Sequence, residues 1–223
     1  MQVCLFDIDG TLINTGGAGS AAIGQAFGQV FGVDNLDGVH TVGRTDRGIA
    51  AELFSVHGVE DSTDNWQRFR AVYLEHLQEN LQQREGRVLA GVVELLEHLV
   101  GHDDVAVGLL TGNVAEGARI KLEYYCLMQH FAFGGYGDEH PGRDDVARET
   151  LRVAQSHLGR TIAGHEVCVI GDTPHDVRCA RAIGARAVAV SSGFCSAEEL
   201  SAAEPDVLVE SLADPAVLRA IFA

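Results

Sequence analysis

Two aspartates separated by one isoleucine, Asp7 and Asp9, stand at the end of the apolar run Val3 to Phe6. If that run is a buried strand, both carboxylates leave it on the same side, because side chains alternate with period two. Neighbouring carboxylates repel and lose hydration there unless a cation or a shared proton relieves them. Mg²⁺ would do so: it takes oxygen ligands in an octahedron, keeps waters and is commonly shared with a phosphate. One carboxylate could then attack phosphorus while the other protonates the leaving oxygen. Two later segments, Leu110-Thr111-Gly112-Asn113 and Gly171-Asp172-Thr173-Pro174-His175-Asp176, also end apolar runs and open helical patterns. Thr111 and the free N–H groups of a helix start would donate to phosphate oxygens. Gly10, Gly112 and Gly171 let backbone approach a ligand closely.

After Thr11 the apolar positions take helical spacing. Ala22, Ile23, Ala26, Phe27, Val30 and Phe31 form one stripe, with Gly32 as its stop. Trp66, Phe69, Tyr73, Leu77 and Leu81 form another, and a polar stretch from 40 leads into a further helix between them. Residues 15 to about 85 therefore read as nearly all helical. Beyond them, strands at 105–111, 132–138, 166–172, 185–192 and 207–211 alternate with helices near 91–100, 114–127, 144–157, 174–183, 196–203 and 214–222. Val- and Ile-rich strands in that rhythm imply a parallel sheet covered on both faces. The expected fold is α/β, a Rossmann-like parallel-sheet core (1–14 and 86–223) with an inserted α-helical cap (15–85). Ligands bind beyond the carboxyl edges of such sheets, so the cap would sit over the site.

Composition narrows the classes. The chain has 223 residues, 46% of them hydrophobic and 22% charged, as in an ordinary globular enzyme. A net charge of −16 argues against nucleic acid or anionic membrane as a partner. Five scattered cysteines without a CxxC pair point to reduced, mostly buried thiols and a cytoplasmic setting. Acids interrupt the N-terminal apolar run after six residues, so no signal peptide is expected, and no run reaches a membrane span. The histidines show no zinc-ligand spacing.

Taken in order, DIDGT, LLTGN and GDTPHD resemble three of the motifs of the haloacid dehalogenase (HAD) superfamily, in its phosphoglycolate phosphatase-like subgroup with a helical cap. The resemblance covers essentially the whole chain and implies roles position by position. Asp7 would be the nucleophile that forms an aspartyl-phosphate, and Asp9 the general acid and base. Asp7, the Asp9 carbonyl and Asp172 would hold Mg²⁺, with Asp176 supporting that site. Gly10, Thr111, Gly112 and Asn113 would cradle the phosphoryl group, and cap residue Arg44 could meet an anionic part of the substrate.

The family also expects a lysine in a KP pair, and the chain has none. Two residues compete for that place. Arg143 stands where the family's third motif belongs. Lys121, the sole lysine, lies on the helix after Thr111, roughly 12 Å along its axis with a side chain leaning back. The implied activity is hydrolysis of a small phosphate ester such as phosphoglycolate or a sugar phosphate. A dehalogenase of the same fold or a non-catalytic metabolite sensor are the alternatives.

Overall fold

The computed structural model describes residues 1–33 and 39–222; the stretch 34–38 of the expected helical block lies outside them. Six parallel strands form the central sheet in the order β5-β4-β1-β6-β7-β8. They are β1 (Gln2–Phe6), β4 (Val105–Leu110), β5 (Phe133–Gly135), β6 (Val167–Gly171), β7 (Arg186–Val190) and β8 (Val207–Val209). The strands read as unbroken apolar runs because both faces are covered. Cys4 and Phe6 of β1 join Cys168 and Ile170 of β6 in one core, and Val3 and Leu5 join Val167 and Val169 in the other.

That alternation fixes the site. Helices α6 (Arg143–Leu158) and α7 (Pro174–Ala182) cover the face that receives Val3 and Leu5. Period two puts Asp7 on the same side, where the first turns of those helices carry Arg143 and Asp176. The opposite face packs against α4 (Val92–Val100), α5 (Ala115–Tyr124) and α9 (Pro215–Ile221), while α8 (Ala197–Ala202) leads into β8.

The insertion is helical, as its periodicity predicts. Helices α1 (Ala18–Phe31), α2 (Asp46–Val56) and α3 (Thr63–Gln83) share a separate apolar cluster built around Phe27, Phe54, Trp66, Phe69 and Tyr73. Helix α1 ends where Gly32 takes φ +70°, its N–H returning to Gly28 O at 2.8 Å. Two two-residue strands that the sequence does not announce, β2 (Ile13–Asn14) and β3 (Arg87–Val88), pair antiparallel where the chain enters and leaves the insertion. Three of the five cysteines are buried, with Cys126 exposed and Cys195 half-buried. Among the described residues, no helix is long and apolar enough to cross a membrane.

Candidate active site

Asp7 extends β1 by one ladder bond, its N–H donating to Ile170 O at 3.0 Å, and its side chain is buried. Gly10 turns the chain at φ +83°, and a Cβ there would lie 2.2 Å from Asp172 Oδ2. Only glycine lets the β1 and β6 edges meet so closely. Asp172 accepts from Thr11 Oγ1 at 3.3 Å and from the Phe194 N–H at 2.8 Å. Thr173 occupies the N-cap position of α7. Asp176, in the first turn, accepts the Thr173 N–H (3.0 Å) and hydroxyl (2.7 Å) on one oxygen and the Arg143 guanidinium on the other. Arg143 also reaches Asp7 Oδ2 at 3.4 Å.

Oxygens of Asp7, Asp172 and Asp176 lie within 4.8 Å of one another, the one such cluster among the described residues. Buried Asp7 Oδ1 has no partner. An orphan carboxylate oxygen amid three acids and one guanidinium fits a cation site. Asp176 takes three protein donors on its two oxygens against two on Asp172, which suits a supporting rather than a direct ligand. Burial pushes the Asp7 carboxyl up to about 6, Arg143 pulling it down and Asp176 adding to the rise. Burial, then Asp176 and Asp7, push Asp172 up to about 8.

A carboxyl raised in the folded state favours folding below its ordinary pKa and loses that contribution as pH rises through the folded value. The metal-free protein therefore gives up stability at these two positions between about pH 4 and pH 8. A divalent cation competes with the same protons. The Tm gained on adding Mg²⁺ should be small at pH 5 and grow to several degrees by pH 8, measured by differential scanning fluorimetry. A pH-independent gain would contradict the cluster as the cation site.

Lys121 comes to the other acid. Its Nζ donates to Asp9 Oδ2 and to Asn113 Oδ1, both at 2.6 Å, and it is only 3% exposed. Asn113 Nδ2 donates to Asp9 Oδ2 and to Thr111 Oγ1, both at 2.8 Å. The structure thus brings both competing cations into the site and divides them: Arg143 lies on Asp7, and Lys121 lies on Asp9. The backward lean of the lysine closes the axial gap. Thr111 is fully buried and its hydroxyl is bonded to Asn113.

A cavity of about 110 Å³ lies between core and insertion, lined by Asp7, Asp9, Asn113, Lys121 and Arg143 on one side and by Ser20, Asp46 and Tyr73 among others on the other. Arg44 lines it too, but its guanidinium is taken by Glu52 and by the His40 and Gly48 carbonyls. Arg47 turns away to Asp61 (2.7 Å) and the Trp66 ring. Asp46 escaped the sequence reading. Thr45 before it is a plain N-cap signal, accepting from the Gly48 N–H at 3.0 Å, but nothing in the sequence announces that Asp46 contacts the core. Its Oδ2 accepts the Val114 N–H at 2.8 Å, and burial pushes its carboxyl up to about 6 despite nearby Lys121.

A model of the haloacid dehalogenase-like hydrolase family matches residues 4–190. IndB of Dickeya dadantii, which carries a phosphatase name, is 30% identical over 219 residues, covering 94% of this chain and 90% of the relative. A 5'-nucleotidase of Pseudomonas aeruginosa is 29% identical over 221 residues, covering 98% and 94%. In fold, the chain is similar to CbbY from Rhodobacter sphaeroides, solved in complex with phosphate. The TM-score is 0.79 with 18% identity, and each chain is covered completely.

Proposed function

This chain belongs to the haloacid dehalogenase-like hydrolases and is a phosphatase; we propose that it is a Mg²⁺-dependent phosphomonoesterase acting on a small phosphate ester through a phosphoryl group carried on Asp7. The observation that carries this reading is the unpartnered Asp7 Oδ1, buried beside Asp172 and Arg143, two residues before an acid gripped by its own cation. One carboxylate is poised to attack and the other to handle protons.

In the first half-reaction an Asp7 carboxylate oxygen bonds to phosphorus as the bond to the leaving oxygen breaks, and Asp9 gives that oxygen its proton. In the second, water attacks phosphorus, its proton passes to Asp9, and the bond to Asp7 breaks to release inorganic phosphate. Arg143 offsets the charge on Asp7 and on the transferring group. Asn113 and Lys121 hold Asp9 in place, and the Thr111 hydroxyl, which accepts from Asn113 and keeps its own proton to give, donates with the Gly112 N–H to phosphoryl oxygens. Asp7, Asp172 and the Asp9 carbonyl would hold Mg²⁺, which supplies positive charge opposite the phosphoryl oxygens. The small cavity under the cap favours a metabolite over a polymer.

The test is phosphate release from a panel of small phosphate esters, with and without Mg²⁺, by wild type and Asp9→Asn. Turnover should require Mg²⁺ and fall by roughly 10²- to 10⁴-fold in the variant. The loss should be larger for alkyl than for aryl esters, whose leaving oxygens need no proton. Wild-type turnover that survives chelation, or an Asp9→Asn enzyme that keeps its rate on alkyl esters, would sink the reading.

A further inference from the structure

Helix α5 has no capping side chain of its own. Its N-cap position is held by Val114, whose side chain holds no acceptor, so its first N–H groups need partners from elsewhere. Two carboxylates supply them from outside the helix. Asp138, on the core loop after β5, accepts the Ala115 N–H at 2.7 Å. Asp46, the first residue of cap helix α2, accepts the Val114 N–H at 2.8 Å.

Asp46 binds this loop twice. Its own N–H donates to Gly112 O at 2.7 Å, so one cap residue grips the core on both sides of Asn113. The neighbouring cap residues join in, Thr45 Oγ1 donating to Pro141 O at 3.0 Å and the Arg47 N–H to Gly137 O at 3.3 Å. The approach is as close as the chain permits: a Cβ on Gly112 would lie 2.0 Å from Arg44 O. Asn113, held in the middle, is the residue that ties together Thr111, Asp9 and Lys121.

We propose that Asp46 is a positioning residue that caps helix α5 across the boundary between cap and core, fixing Asn113, and through it Asp9, only when the cap is closed. With the cap lifted, the Val114 N–H and the Gly112 carbonyl return to water and the loop 111–114 loses its two outside anchors. Closure and the ordering of Asp9 are then one event. The inference rests on the phosphatase reading for its kinetic consequence and on hydrogen bonding alone for its structural one.

The experiment compares Asp46→Ala and Asp46→Asn with wild type by steady-state kinetics on a phosphate ester the wild type turns over, and by hydrogen–deuterium exchange of the peptide holding Val114 and Ala115, with and without inorganic phosphate. Asp46→Ala should lower kcat by about a hundredfold, the usual cost of misplacing a reacting group, with a much smaller change in KM. Asp46→Asn, which keeps an acceptor oxygen, should recover most of that loss. Phosphate should slow exchange at this peptide in wild type and in Asp46→Asn but not in Asp46→Ala. Equal impairment of the two variants would overturn the proposal, since charge rather than capping would then matter; so would a kcat within twofold of wild type in Asp46→Ala. If Asp46→Ala does not fold, Asp46→Asn near wild-type kcat, with phosphate still slowing exchange, supports the proposal. An impaired Asp46→Asn, or exchange that phosphate leaves unchanged in wild type, overturns it. A wild type that turns over no ester defeats the phosphatase reading, while the exchange data still judge the clamp.

Discussion

Asp7→Asn is expected to lower turnover by roughly 10⁴-fold or more while leaving the protein folded. The amide cannot form the bond to phosphorus, and no other carboxylate replaces it: Asp172 is tied to Thr11 and Phe194, Asp176 to Thr173 and Arg143, and Asp9 to Asn113 and Lys121. The fold should not suffer, because the change is nearly isosteric and removes one of three mutually repelling buried acids. The metal-free variant should accordingly melt no lower than metal-free wild type, and its Tm should respond less to Mg²⁺. Kinetics and thermal melts on the same preparations check both halves. Residual turnover above about a hundredth of wild type would place the nucleophile elsewhere.

Arg143→Ala should show the largest loss of stability of any single change at the site. The guanidinium is buried between Asp7 and Asp176, and its removal leaves two buried carboxylates beside Asp172 with no cation of the protein's own. Breaking a buried pair in this way costs about 3–5 kcal/mol. For a chain of this length that is roughly six to twenty degrees of Tm. Saturating Mg²⁺ should return part of the loss, since a bound cation relieves the same carboxylates. Arg143→Lys should stay well below wild type, because a point charge does not span two acids as a planar fork does. A metal-free Arg143→Ala protein that melts within two or three degrees of wild type would show that Arg143 does not hold the cluster together.

The sheet and the first carboxylate pair were legible for one physical reason. A strand covered on both faces must be apolar at every position, so acids at 7 and 9 can only mark where the strand leaves the core. The helical insertion was legible from its spacing, and Gly32 from the left-handed turn it makes. Periodicity did not reach the partners. It gives Lys121 a height along α5 but not the path by which its amine meets Asp9 beside Asn113. The resemblance offers Arg44 to the substrate, and periodicity cannot foresee its ion pair with Glu52, eight residues on and across the start of α2, which follows no helical neighbour rule. The strands β2 and β3 carry two residues each, too few to show alternation. The grip of Asp46 on Val114 joins positions 68 residues apart, and neither residue type announces the other.

If Asp7 carries the phosphoryl group, that group can be trapped on it. The direct measurement is to mix enzyme, Mg²⁺ and the best ester of the panel, quench in acid within the first turnover, and map the digested protein by mass spectrometry. One added phosphoryl group is expected on the peptide that contains Asp7, fragmenting to that residue and missing in Asp7→Asn. Efficient turnover with no phosphorylated peptide at any quench time, or with the group on another residue, would contradict that role of Asp7.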